Sequence, residues 1–166
     1  MEWRVSQKYL SRFDGYYTET GGLHFGVDLI CVAQNGCNIT DGMPLYAIED
    51  GIVKVASKNK LSSTGLQIVT KHNYVGSEVY YRSYQHLSKV AVKKGYIVKK
   101  GDLIGFCGGT GNTTGPHLHT DKYFRHNEPA LSHLYANYDG VHVYYVDPEL
   151  DIDDLAGRGK NVNYSY

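Results

Sequence analysis

Three short segments hold the residues whose types and spacing could do chemistry. They are Leu23-His24-Phe25-Gly26-Val27-Asp28, Tyr84-Gln85-His86-Leu87-Ser88, and Thr110-Gly111-Asn112-Thr113-Thr114-Gly115-Pro116-His117-Leu118-His119. In a strand, side chains at i and i+2 share one face, about 6.5 Å apart along the chain. His117 and His119 therefore look into one place, where one imidazole could bind a metal while the other moves protons. On its own, an H-x-H pair reads more readily as two imidazoles on a solvated strand. His24 and Asp28 are four apart, about 13 Å between α-carbons on a flat strand. That is too far to share an ion, and Gly26 between them permits the bend that would close the gap. Together the segments supply two neutral imidazoles, one carboxylate and two spare histidines. Two histidines, a carboxylate and water form a hydrolytic zinc pattern. Non-haem iron oxygenases use the same ligand types, but their signature sets His and Asp two apart and needs no H-x-H strand.

The elements that must position these groups read as strands. Leu45–Ile48, Gly51–Ala56, Leu66–Thr70, Glu78–Tyr84, Val90–Val92, Ile97–Val98 and Leu103–Phe106 are separated by Asp50-Gly51, Thr64-Gly65, Lys94-Gly95 and Lys100-Gly101. Short strands at roughly eight- to twelve-residue spacing with such turns indicate an all-β domain. The 19 glycines and 16 tyrosines among 166 residues suit strands and tight turns better than a helical bundle. The length fits one domain. The one helical candidate is Pro129–Asn137, where Pro suits a first turn. Residues 126–143 form an excursion before a strand at Val143–Val146, and 149–166 read as a surface-hugging or loose tail.

Lys plus Arg and Asp plus Glu number 17 each, a balance that argues against nucleic-acid binding. No apolar run of about 18 residues predicts a membrane span, and no signal peptide is visible at the start. Cys31, Cys37 and Cys107 are too few and scattered for a disulfide framework and contain no C-x-x-C pair. They are expected to be free thiols acting as small hydrophobes.

These motifs resemble the lysostaphin-type (LytM-like) zinc metallopeptidases, which cut peptides in bacterial peptidoglycan. His24-Phe-Gly26-Val27-Asp28 is similar to the family's H-x-G-[IV]-D, and Tyr84-Gln-His86-Leu87-Ser88 to its Y-x-H-L-S. Thr110 to His119 follows T-G-x-S-T-G-P-H-L-H almost letter for letter. Pro44-Leu-Tyr-Ala47 with Asp50-Gly51-Ile-Val53, and Lys100-Gly101-Asp102-Leu-Ile104-Gly105, also fit the family.

The resemblance implies an all-β fold of antiparallel sheets forming a groove, related to duplicated hybrid motifs and barrel-sandwiches, with few or short helices. The implied domain is 1–148, with its motif-bearing core at 22–125, followed by the tail. It implies one zinc ion per chain held by His24, Asp28 and His119, with His86 and His117 as the catalytic pair. Tyr17 or Tyr16 would help bind the reacting carbonyl. Peptidoglycan peptides are the implied partner, and a monomer is expected. The substrate lies outside the cytoplasm, so a phage lysin, a phage tail component or an excised domain would each fit the start of the chain. Thr120-Asp121 replaces the family's common Phe-Glu, a departure expected to affect packing rather than ligation. His72 is read as structural, and His126, His133 and His142 as surface residues. A catalytically dead binding module would have lost some of these five residues, and all five are present. A biotinyl-type carrier lacks its modified lysine here, since Met1 and Met43 lie far from Val98–Gly105.

Overall fold

The computed structural model describes residues 1–9, 11, 23–73, 76–126, 135–138 and 141–146. Among these there are twelve strands and no helix. They are β1 (Glu2–Gln7), β2 (Val27–Val32), β3 (Pro44–Tyr46), β4 (Gly51–Ala56), β5 (Leu66–Asn73), β6 (Val79–Leu87), β7 (Lys89–Val90), β8 (Ile97–Val98), β9 (Leu103–Phe106), β10 (Leu118–His126), β11 (Tyr135–Tyr138) and β12 (Val141–Val146). The larger sheet runs β1-β2-β10-β6-β5-β4-β8, with β12 also on β10 and β11 on β12. A smaller sheet runs β3-β9-β7. All pairings are antiparallel.

Alternation decides which side of each strand is buried. Along β6, Tyr80, Arg82 and Tyr84 are buried. The core joins both sheets: Leu29, Ile68, Leu87 and Leu118 from the larger, Leu45 and Ile104 from the smaller, each fully buried. β1 pairs Trp3 with Cys31 of β2 and sinks the Trp3 ring into this core.

β10 is the strand on which the candidate site is assembled. One of its edges pairs with β6 from His119 to Tyr123. Its other edge pairs first with β2, at Leu118 to Thr120, and then with β12, at Lys122 to His126.

The helix expected over Pro129–Asn137 is corrected where it can be followed. Residues Tyr135–Tyr138 are strand β11, paired with β12 so that Tyr138 faces Val141. That pairing outweighs the helix-start signal of Pro129. Residues 129–134, the tail at 149–166, His133, Tyr16 and Tyr17 lie outside the described residues.

Candidate metal centre

Register brings the first two groups together. Asp28 on β2 lies directly opposite His119 on β10. Opposed residues of an antiparallel pair share a face, and their neighbours Leu29 and Leu118 point the other way, into the core. His24 precedes β2, and the chain bends at Gly26 before the strand begins. Gly26 does more than permit that bend. A Cβ there would lie 2.6 Å from the Thr120 carbonyl oxygen and 2.7 Å from His119 Nε2. The absent side chain is what lets the His24 segment lie against the His119 ring.

Three ligand atoms converge as a result. His24 Nε2 lies 3.0 Å from His119 Nδ1, His119 Nδ1 lies 2.9 Å from Asp28 Oδ1, and His24 Nε2 lies 3.1 Å from Asp28 Oδ1. Zinc bonds of about 2.0–2.1 Å at tetrahedral angles separate ligand atoms by about 3.3 Å. The donor set and its spacing therefore fit one such ion with a fourth position left for water. Outer partners orient both rings. His24 Nδ1–H donates to the Lys8 carbonyl at 3.1 Å, which leaves Nε2 as the lone-pair face. His119 turns its Nε2 toward Asp121 Oδ2 at 3.4 Å. Histidines that bind metals usually donate their second N–H to a carboxylate or carbonyl in this way.

The electrostatics match. Burial works against ionising Asp28, but the hydrogen bond and the charge of the His119 ring hold its carboxyl well below the usual range. Burial likewise works against charging His119, yet the Asp121 and Asp28 carboxylates push it up to about 9. Without a metal, His119 is an imidazolium between two carboxylates. A cation at Nδ1 takes the place of that proton.

His86 reaches the same site by a local irregularity. Alternation along β6 would send it to the side of Tyr84, opposite Gln85, which pairs with His119. His86 instead has φ of 61°, the one left-handed non-glycine residue described. The β5–β6 register also shifts between Leu66 and Ile68. A bulge of this kind re-aims a side chain. The His86 ring lies 4.7 Å from that of His117 and 6.1 Å from that of His119, centroid to centroid. Its Nδ1–H donates to the Thr110 carbonyl at 2.9 Å. Burial lowers its pKa to about 4. His117 follows the Gly-Pro turn, and its Nδ1–H donates to the Gly115 carbonyl at 2.9 Å. Its Nε2 lies 3.7 Å from Asp28 Oδ1. Both rings, when neutral, thus present Nε2 as a proton acceptor.

The five predicted residues are therefore neighbours, and the two candidate tyrosines fall outside the described residues. One expectation needs extending. Asp121 stays outside the ligand group, as the packing expectation has it, but it does more than pack: its Oδ2 faces the His119 ring and accepts from Gln85 Nε2 at 3.0 Å. The available signal was its position two residues beyond His119, on the same face of a strand. His72 stands apart, buried, with its ring nitrogens against the Asp50 carbonyl at 2.8 Å and Thr70 Oγ1 at 2.7 Å. All three cysteines are free, and Cys31 and Cys107 are buried as expected of small hydrophobes. Cys37 is exposed instead, in the turn after β2.

An all-β domain with this His–Asp–His group and two more histidines beside it defines a metallopeptidase domain. The model of peptidase family M23 matches residues 22–132, and the chain belongs to that family. Over 100 residues it is 41% identical to peptidoglycan DD-endopeptidase ShyB of Vibrio cholerae, covering 59% of this chain and 22% of that protein. Over 102 residues it is 40% identical to lysostaphin of Staphylococcus simulans, covering 61% and 18%. The chain thus matches about a fifth of the length of these relatives. The solved catalytic domain of lysostaphin superposes with a TM-score of 0.59 at 30% identity, covering 79% of this chain and 84% of that one. A zinc-containing peptidase from Vibrio cholerae superposes with a TM-score of 0.56 at 27% identity, covering 97% and 38%.

Proposed function

We propose that this chain is a zinc-dependent endopeptidase that hydrolyses peptide bonds in peptidoglycan, in the wall outside the bacterial membrane. The observation that carries the reading is the convergence of His24 Nε2, Asp28 Oδ1 and His119 Nδ1 within 3.1 Å of one another, beside His86 and His117. The likeness to ShyB, a peptidoglycan DD-endopeptidase, and to the zinc-containing peptidase of Vibrio cholerae supports it.

His24, Asp28 and His119 would hold one zinc ion, which when bound supplies an acidified water and polarises the scissile carbonyl. His86 and His117 stay outside the ligand set and handle protons. Each has its Nδ1 tied to a backbone carbonyl, so its exchangeable position is Nε2. One accepts the proton of the attacking water there. The same proton is then delivered to the amine that leaves, so none is gained or lost over the cycle. General acid–base groups of this kind contribute about 10²–10⁴-fold.

The test combines metal analysis with product chemistry. His24→Ala and Asp28→Ala should lose zinc and activity, whereas His86→Ala and His117→Ala should keep zinc and lose most turnover. Digested peptidoglycan should gain free amino groups while sugar reducing ends stay constant. Zinc retained in His24→Ala, or reducing ends rising without amines, contradicts the proposal. Amines that appear only when an N-acetylmuramyl group is attached would make the enzyme an amidase at the sugar–peptide junction.

A further inference from the structure

Four side chains form a block on the face of β6 and β10 that carries the metal group. Register sets Gln85 opposite His119 and Ser83 opposite Asp121. Opposed residues on such a face are near neighbours, whereas the diagonal, about 7–8 Å, is within reach only of a long side chain. Gln85 spans that diagonal. Its Nε2 donates to Asp121 Oδ2 on β10 and to Ser83 Oγ on its own strand, both at 3.0 Å. A primary amide carries two N–H donors. Both are taken here, so the side chain has one way to sit.

The Asp121 carboxylate depends on this grip. Asp121 is buried on β10. Its Oδ2 faces His119 Nε2 at 3.4 Å and takes the Gln85 amide. Its Oδ1 is buried and has no hydrogen-bond partner among the described residues. Charge-assisted N–H···O contacts are ordinarily about 2.7–2.9 Å long, so the His119 contact alone is a loose tether. The amide is the closer hold. Without it, the Ser83 hydroxyl that now accepts from Gln85 is released directly opposite the carboxylate and can donate to it, drawing it off the ring.

We propose that Gln85 is a positioning residue of the metal group: by gripping Asp121 it keeps a carboxylate behind His119 and so tightens the hold on zinc. The inference rests on the metal reading above and deepens it. A histidine ligand backed by a fixed carboxylate is a better donor than one whose partner can turn away. Gln85 acts only through Asp121, which makes the two residues a coupled pair.

Zinc affinity, measured by competition against a chelator, tests this without any substrate, so the result stands apart from the peptidase reading. Gln85→Met keeps the length of the side chain and removes both donors. Affinity should fall about three- to tenfold, the scale of one neutral hydrogen bond. Gln85→Asn keeps the amide but is one methylene short of the diagonal, and should lose as much. Position 85 is half-buried, and melts of the metal-free proteins check that each variant folds as the parent does. The double variant decides whether Gln85 works through Asp121. Adding Gln85→Met to Asp121→Asn should change affinity by less than about twofold, because the two losses share one path. Unchanged or tighter binding in either single Gln85 variant, or losses that simply add in the double variant, overturns the positioning role and leaves the metal centre standing. A parent chain that binds no zinc overturns the metal centre itself.

Discussion

Asp121 Oδ2 lies 3.4 Å from His119 Nε2, on the side of the ring opposite Asp28, whose Oδ1 is 2.9 Å from Nδ1. The His119 ring is thus spanned by two carboxylates, one inside the ligand group and one behind it. Asp121 is almost fully buried and is itself held by Gln85, which also donates to Ser83 Oγ. Asp121→Asn should keep the shape of this contact but remove the charge that makes His119 basic. Zinc affinity should fall about 10–100-fold, the usual effect of removing such an outer partner. Competition against a chelator measures it, and Asp121→Glu should recover part of the loss. An unchanged affinity in Asp121→Asn would return Asp121 to a packing role.

His86 yields a prediction about the backbone. A left-handed φ costs a non-glycine residue about 1–3 kcal/mol, and the expense is greatest for β-branched side chains. Asn tolerates this conformation well. His86→Asn and His86→Val should both lose turnover and both keep zinc. In denaturant melts, His86→Val should be the less stable of the two by about 1–2 kcal/mol. Equal stability would mean that the chain relaxes out of the left-handed region when the imidazole is removed.

What was legible in the sequence follows from how local each signal is. The turn dipeptides located β4, β8 and β9 because each is a short run closed by a glycine turn. The spacing of H-x-H placed His117 and His119 near one site because strand periodicity is local. The face of His86 was not legible, since alternation assigns it to the wrong side and only the positive φ and shifted register correct it. Asp121 was hidden for a different reason. Its hydrogen bonds run to residues made neighbours by the β10–β6 register, and no local pattern states that register. β11 escapes local pattern because a Pro at a helix start is a one-residue signal, whereas the strand depends on pairing with β12.

Gly26→Ala should disturb the metal group although residue 26 is no ligand. The added methyl would meet backbone on one side, the Thr120 carbonyl oxygen at 2.6 Å, and the His119 ring on the other, at 2.7 Å. The strand backbone is the stiffer of the two, so the ring should give way and move Nδ1 off its position. Overpacking of this kind costs about 1–3 kcal/mol. Thermal melts should show that loss in the metal-free protein, and zinc affinity should fall as well. A variant with normal affinity would show that the His24 segment can move away from β10 without opening the site.

His72 gives the pH dependence. Burial lowers its pKa from the ordinary value of 6.5, with Arg82 and Lys122 acting in the same direction, against the opposing effects of Glu49 and the Asp50 carbonyl. It stacks on Tyr80 at 5.0 Å and is no part of the His24–Asp28–His119 group. The sign follows from proton counts. Below pH 6.5 the unfolded chain protonates this imidazole while the folded chain still keeps it neutral, so unfolding takes up protons and stability falls as pH falls. The His72 contribution is complete above 6.5 and is lost progressively as pH drops toward the depressed folded value. One proton corresponds to at most about 1.4 kcal/mol per pH unit. His72→Gln removes the titrating group and leaves the five site residues in place. Denaturant melts between pH 7 and pH 5 should therefore show a steeper loss for the parent chain than for His72→Gln. The variant should be the less stable of the two at pH 7, where the buried hydrogen bonds to Asp50 and Thr70 are intact in the parent. Parallel slopes would mean that His72 titrates in the folded chain as it does in the unfolded one, with Glu49 offsetting the cost of burial.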